Sequence, residues 1–105
     1  MLYTIDELKG LIEPIAKKYQ ISTIYLFGSY ARGDADENSD VDILIKREGS
    51  IIKGLIMGTL YEELSEIIGK EIDLITEEAI SQHDFKNTSP WLYENIFAER
   101  IKLYG

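Results

Sequence analysis

The chain has 105 residues, 45% of them apolar and 29% charged, and 19 acidic against 11 basic residues give a net charge of −8. That length supports one hydrophobic core and not two, so residues 1–105 read as a single domain. The absence of cysteine excludes disulfides and thiolate metal sites, no run of 18 apolar residues offers a membrane span, and the acidity argues against a nucleic-acid backbone as the main partner. With no signal-like N-terminus, the default expectation is a cytoplasmic protein. An acidic balance suits a metal-filled carboxylate site or a basic protein partner.

Thr4-x-x-Glu7 has the form of a capping box and opens a helix expected over residues 5–19. Leu8, Leu11, Ile12, Ile15 and Tyr19 recur at helical spacing and make its buried stripe. Pro14 falls inside that stripe and is expected to kink the helix or end its first half. A first strand follows over 22–27. Tyr30-Ala31-Arg32 reads as a short helical turn stopped by Gly33. Asp34, Asp36 and Glu37 read as a solvated acidic turn. A second strand over 40–46 leads to a helix expected over 51–68, weakened by Gly54 and Gly58 and stopped by Gly69. The third strand is expected over 71–76. Residues 77–83 suggest a short helix or turn, and lone His83 has no Cys or His companions for a zinc site. Ser89-Pro90 opens a last helix reaching about residue 99 and burying Leu92, Ile96 and Phe97. Trp91 and Tyr93 read as packing or interface residues. Ile101-Lys102-Leu103-Tyr104 alternates and suggests a short strand or pairing edge.

The densest chemistry lies in Ile24–Ile45, where two β-prone runs bracket a polar turn. Gly28-Ser29 ends the first run and Asp40-Val41-Asp42 opens the second, with ten residues between Ser29 and Asp40. In an extended segment Asp40 and Asp42 point the same way, about 6–7 Å apart, and repel unless a cation sits between them. Hard oxygen donors suit Mg²⁺, which completes its shell with water and substrate phosphate, and two such ions clamp in-line displacement at phosphorus. Gly28 permits a tight turn and close backbone approach, and Ser29 offers an amide and hydroxyl to an anion. Asp73, flanked by Ile72, Leu74 and Ile75, needs a partner. If its strand lies beside the second one, Asp73 joins the other two carboxylates and can act as general base. An edge-strand Asp facing water is the alternative. Arg32 reads equally as a phosphate contact and as a surface residue paired with a neighbouring acid.

Gly28-Ser29-Tyr30-Ala31-Arg32-Gly33 through Ser39-Asp40-Val41-Asp42-Ile43 resembles the signature of the minimal nucleotidyltransferases (MNT) of the DNA polymerase β-like superfamily. The resemblance extends over nearly the whole chain, with Ile24-Tyr25-Leu26-Phe27 as the family's first strand. It implies an α/β (α+β) fold in which helices pack on one face of a small mixed sheet. It also implies Asp40, Asp42 and Asp73 as catalytic and metal-binding residues, and Gly28, Ser29, Arg32 and Ser39 at the nucleotide. The reaction it implies is Mg²⁺-dependent transfer of AMP from ATP to a hydroxyl. Larger relatives carry acceptor-binding domains for which this chain leaves no residues, so the acceptor is expected on another chain, or a second copy completes the pocket. Minimal family members pair with small helical HEPN proteins, and some act as antitoxins by modifying a tyrosine of that toxin. Two other readings stay open: a module that neutralises its partner by contact alone, and a transferase for a small-molecule hydroxyl.

Overall fold

Helix α1 spans Ile5–Lys18 and begins where its capping box predicts. The Glu7 amide donates to Thr4 Oγ1 at 3.1 Å, and the Thr4 amide donates to Glu7 Oε1 at 2.9 Å. Thr4→Ala is expected to destabilise the protein by about 1 kcal/mol, measured as a lower urea midpoint at unchanged slope. The helix continues through Pro14 instead of ending there.

The computed structural model describes residues 2–80 and 90–105. After α1 come β1 (Ile24–Phe27), α2 (Gly28–Arg32), β2 (Val41–Ile45) and α3 (Ile56–Ile68). They are followed by β3 (Ile72–Thr76), α4 (Glu77–Ile80), α5 (Pro90–Glu99) and β4 (Ile101–Tyr104). The expectations for His83 and Ser89, and for the side chains of Trp91, Leu92 and Tyr93, lie outside the described residues.

The four strands form one mixed sheet in the order β3-β2-β1-β4. β1 pairs antiparallel with β2 and β4, whereas β2 and β3 run parallel, joined by the crossover that contains α3. Strand alternation sorts the side chains. Ile24, Leu26, Val41, Ile43, Ile45 and Ile72 face the main core with Leu8, Ile12 and Ile15 of α1 and Leu60, Leu64 and Ile68 of α3. The opposite face carries a smaller apolar cluster of Leu44 and Ile96 with Tyr25, Phe27, Ile75 and Phe97. The expected mixed-sheet α/β fold is borne out, but its helices do not all pack on one face. Helix α5 lays Ile96 and Phe97 on the side away from α1 and α3, where Leu44 and Ile75 leave a second apolar surface to cover. Asp42 and Asp73 sit at the alternate positions of β2 and β3, away from the main core.

Helix α3 begins at Ile56, five residues later than its apolar spacing suggests. Gly54 adopts φ +53°, a left-handed conformation that interrupts the helix, and Leu55 stands 95% exposed. Ile52 matches the helical period yet is a loop residue tucked into the core at 1% exposure. The other end follows expectation: Gly69 adopts φ +71° and its amide donates to the Ser65 carbonyl at 2.8 Å. Among the described residues no helix is long and apolar enough to cross a membrane.

Candidate active site

The β1–α2 junction places backbone directly under a carboxylate. Phe27 is extended and lies opposite Asp42 in the β1–β2 register. Gly28 then turns with φ +71° to begin α2, and a Cβ there would lie 2.0 Å from Asp42 Oδ2 and 2.9 Å from its Cγ. No residue with a side chain fits beneath that carboxylate without moving it. Ser29 follows, half-buried, with its carbonyl accepting the Asp34 amide at 3.1 Å.

Asp42 pairs with Asp73 in the parallel β2–β3 register, which sets both on one face of neighbouring strands about 4.8 Å apart. Burial is the largest influence on Asp42, followed by its hydrogen bond with Asp73 and the charges of Asp73 and Asp40. Together they push its carboxyl up to about 7, against a weaker opposing pull from Arg32. Asp40 lies one residue before β2 and is exposed, so it belongs to the loop rather than to the expected strand. It reaches Asp42 through its charge.

The loop that delivers Asp40 is organised by Asp36. Asp36 Oδ1 accepts the Asn38 amide at 2.8 Å and the Ser39 hydroxyl at 3.3 Å. The Asp36 amide donates to Ser39 Oγ at 2.9 Å, and the Ser39 amide donates to the Asp36 carbonyl at 3.1 Å. Ser39 therefore uses its hydroxyl to close the turn. Asp36 is exposed in the acidic turn, as expected, and is also the centre of that turn's hydrogen bonds. Its Asp-x-x-Ser spacing is the signal that points there. An open groove of about 200 Å³, lined by Glu37, Asn38, Ser39, Asp40, Lys70 and Glu71, flanks this loop.

Arg32 pairs with Asp34 and with Glu99 of α5, each at 3.3 Å, and stays 45% exposed. Arg32 thus makes the surface pairing here, and its opposing pull on Asp42 keeps it electrostatically linked to the site. Arg100 carries no sequence signal for its role. Its guanidinium carbon lies 4.0 Å from the Tyr25 ring centroid and 4.4 Å from that of Phe97, with Nη1 3.6 Å from Glu77 Oε1. That stacking closes the apolar cluster between α5 and the sheet.

Among the described residues no three His, Asp or Glu side chains converge closely enough to enclose an ion alone. The donor set nonetheless fits a hard divalent cation that takes its remaining ligands from water and phosphate. Asp42 and Asp73 are adjacent all-oxygen donors that the parallel register sets side by side.

The family model described as polymerase beta, nucleotidyltransferase matches residues 10–105. MJ0141 of Methanocaldococcus jannaschii, provisionally named a protein adenylyltransferase, is 56% identical over 102 residues, covering 96% of this chain and 91% of the relative. Protein adenylyltransferase MntA of Thermococcus cleftensis is 31% identical over 85 residues, covering 75% and 83%. Among solved structures, a toxin–antitoxin with AMP-PNP gives a TM-score of 0.70 at 23% identity, covering 92% of this chain and 73% of that one. A tri-AMPylated Shewanella oneidensis HEPN toxin in complex with MNT antitoxin gives 0.65 at 19%, covering 97% and 73%. At those identities the two structures show a shared fold. Sequence match and fold agree: the chain is an enzyme of the polymerase β nucleotidyltransferase family, with relatives named as protein adenylyltransferases.

Proposed function

We propose that this protein transfers AMP from ATP to a tyrosine hydroxyl of a small helical HEPN partner, and silences that partner as its antitoxin. The observation that carries this reading is the seating of the Asp42 carboxylate on the bare backbone of Gly28, with Asp73 beside it in register. Contact-only neutralisation requires no such junction. The names of MntA and of the AMPylated HEPN toxin complex support this acceptor class.

In this reading Gly28 and Ser29 receive the triphosphate, Ser39 shapes the loop beside it, and Arg32 leaves Glu99 for phosphate. Asp40, Asp42 and Asp73 would hold Mg²⁺, which supplies neutralisation of the triphosphate charge when bound. Asp73, the more exposed of the strand pair, orients the acceptor hydroxyl and accepts its proton. The acceptor oxygen forms a bond to the α-phosphorus as the bond to pyrophosphate breaks. Most of the acceleration comes from placing these groups and balancing charge. Residues 1–105 act as one domain in this scheme, alone or as a homo-oligomer.

Incubation with the protein encoded by the adjoining gene, using ATP labelled at either the α or the γ phosphorus, tests the proposal. Label is expected on that partner from α only, and to vanish when its acceptor tyrosine becomes phenylalanine. Co-purification without label would instead make the chain a binding module. Label arriving from γ would make it a kinase.

A further inference from the structure

We infer that Lys70 is the positioning residue for Asp40. It stands at the root of β3, directly after the left-handed Gly69 that ends α3. Its Nζ donates to the Glu37 carbonyl at 2.8 Å and to the Ser39 carbonyl at 3.3 Å. The second of these belongs to the peptide unit that leads into Asp40. On the other side of Asp40, the Val41 amide donates to the Glu71 carbonyl at 3.1 Å. Two consecutive residues, Lys70 and Glu71, thus grip the backbone immediately before and after one acid. Asp73 lies three residues beyond Lys70, in the strand that this segment leads into, so one continuous segment sets Asp40 relative to Asp73.

The charge balance makes such a grip necessary. The loop carries Asp34, Asp36, Glu37 and Asp40, whose mutual repulsion favours an expanded loop. Asp36 closes the turn internally but does not attach it to the sheet. Lys70 makes that attachment with a charged donor on neutral carbonyls, a stronger type of hydrogen bond than a neutral pair. The same ammonium lies 5.7 Å from the ring centroid of Tyr30, which is 6% exposed in α2. It therefore touches both segments of the site, the helix that follows Gly28-Ser29 and the loop that ends in Asp40. Lys70 touches no reacting atom in this role and acts through the backbone of residues 37 and 39.

This inference rests on the proposed role of Asp40 at a divalent cation, and its test separates the two. Lys70→Met keeps the length and packing of the side chain and removes the donors, whereas Lys70→Arg keeps a cationic donor. Hydrogen exchange of the amides of residues 36–41 in metal-free protein is expected to accelerate roughly three- to tenfold in Lys70→Met. Calorimetric Mn²⁺ binding without nucleotide is expected to weaken by a similar factor, and Lys70→Arg restores both. Unchanged exchange and unchanged Mn²⁺ affinity in Lys70→Met would overturn the inference. So would weaker nucleotide binding alone, which would make Lys70 a direct phosphate contact. If the wild type itself binds no Mn²⁺, the functional reading fails and the exchange rates still decide the role of Lys70. Should Lys70→Met fail to fold, Lys70→Gln against Lys70→Arg gives the same two readouts.

Discussion

Gly28→Ala is expected to fold and yet lose roughly 10²-fold or more in transfer rate. Two costs act at that position and they differ in kind. The left-handed φ of +71° costs an alanine about 1–2 kcal/mol, which lowers stability without abolishing the fold. The new methyl would also meet Asp42 Oδ2 at 2.0 Å, well inside any real contact distance. The neighbour that yields is the end of a side chain, so relief is cheap for the fold. It is expensive for chemistry, because the group displaced is the Asp42 carboxylate. Thermal unfolding measured alongside label transfer checks both: a modest drop in midpoint with a large drop in rate. By contrast, Ala at Gly33 or Gly49 meets nothing within 4 Å, and there the left-handed strain alone applies.

Asp42→Asn is expected to stabilise the metal-free protein and remove transfer. The folded-state pKa of Asp42, about 7, lies above its ordinary value of 3.8, so the folded protein binds the proton more tightly than the unfolded chain. The associated stability is complete below pH 3.8 and is lost as pH rises through 7. Above that window an ionised Asp42 faces Asp73 without compensation. A neutral amide removes the repulsion and can donate to Asp73. After discounting for partial solvation, the gain at pH 8 is on the order of 1–2 kcal/mol, read from urea unfolding without divalent metal. The wild type should lose stability from pH 4 to pH 8, and the variant should lose less. Adding Mg²⁺ at pH 8 is expected to raise the wild-type midpoint and leave Asp42→Asn unmoved. Transfer is expected to fall about 10³-fold, since the variant gives up a fixed charge at the centre of the site.

Local patterns make most of the fold legible in the sequence. The capping box at Thr4, the left-handed stop at Gly69 and the β-prone runs of β1 to β3 each have a short-range cause, and each appears close to where its residues put it. The start of α3 is not legible, because Ile52 satisfies a helical period by filling the core from a loop. Gly54 weakens that stretch, but its neighbours do not specify that it turns left-handed there. In the site, the spacing between Gly28-Ser29 and Asp40-Val41-Asp42 singles out residues of which the fold brings Gly28 and Asp42 together, but that contact is tertiary. Only the β1–β2 register puts Gly28 beneath Asp42, and only the parallel β2–β3 register puts Asp73 beside it. Lys70 and Arg100 are hidden for the same reason. A lysine before a strand and an arginine after a helix look like surface residues until the carbonyls and rings they meet come from distant segments.

The most direct test compares wild type and Asp42→Asn, matched for folding by circular dichroism, in transfer of α-labelled AMP to the adjoining-gene protein with Mg²⁺. The expectation is label on the partner with wild type and none with the variant, while the variant still binds that partner and, without divalent metal, unfolds at a higher temperature than wild type. Transfer by Asp42→Asn at the wild-type rate would contradict it, because the chemistry would then not reside at the junction of Gly28, Asp42 and Asp73.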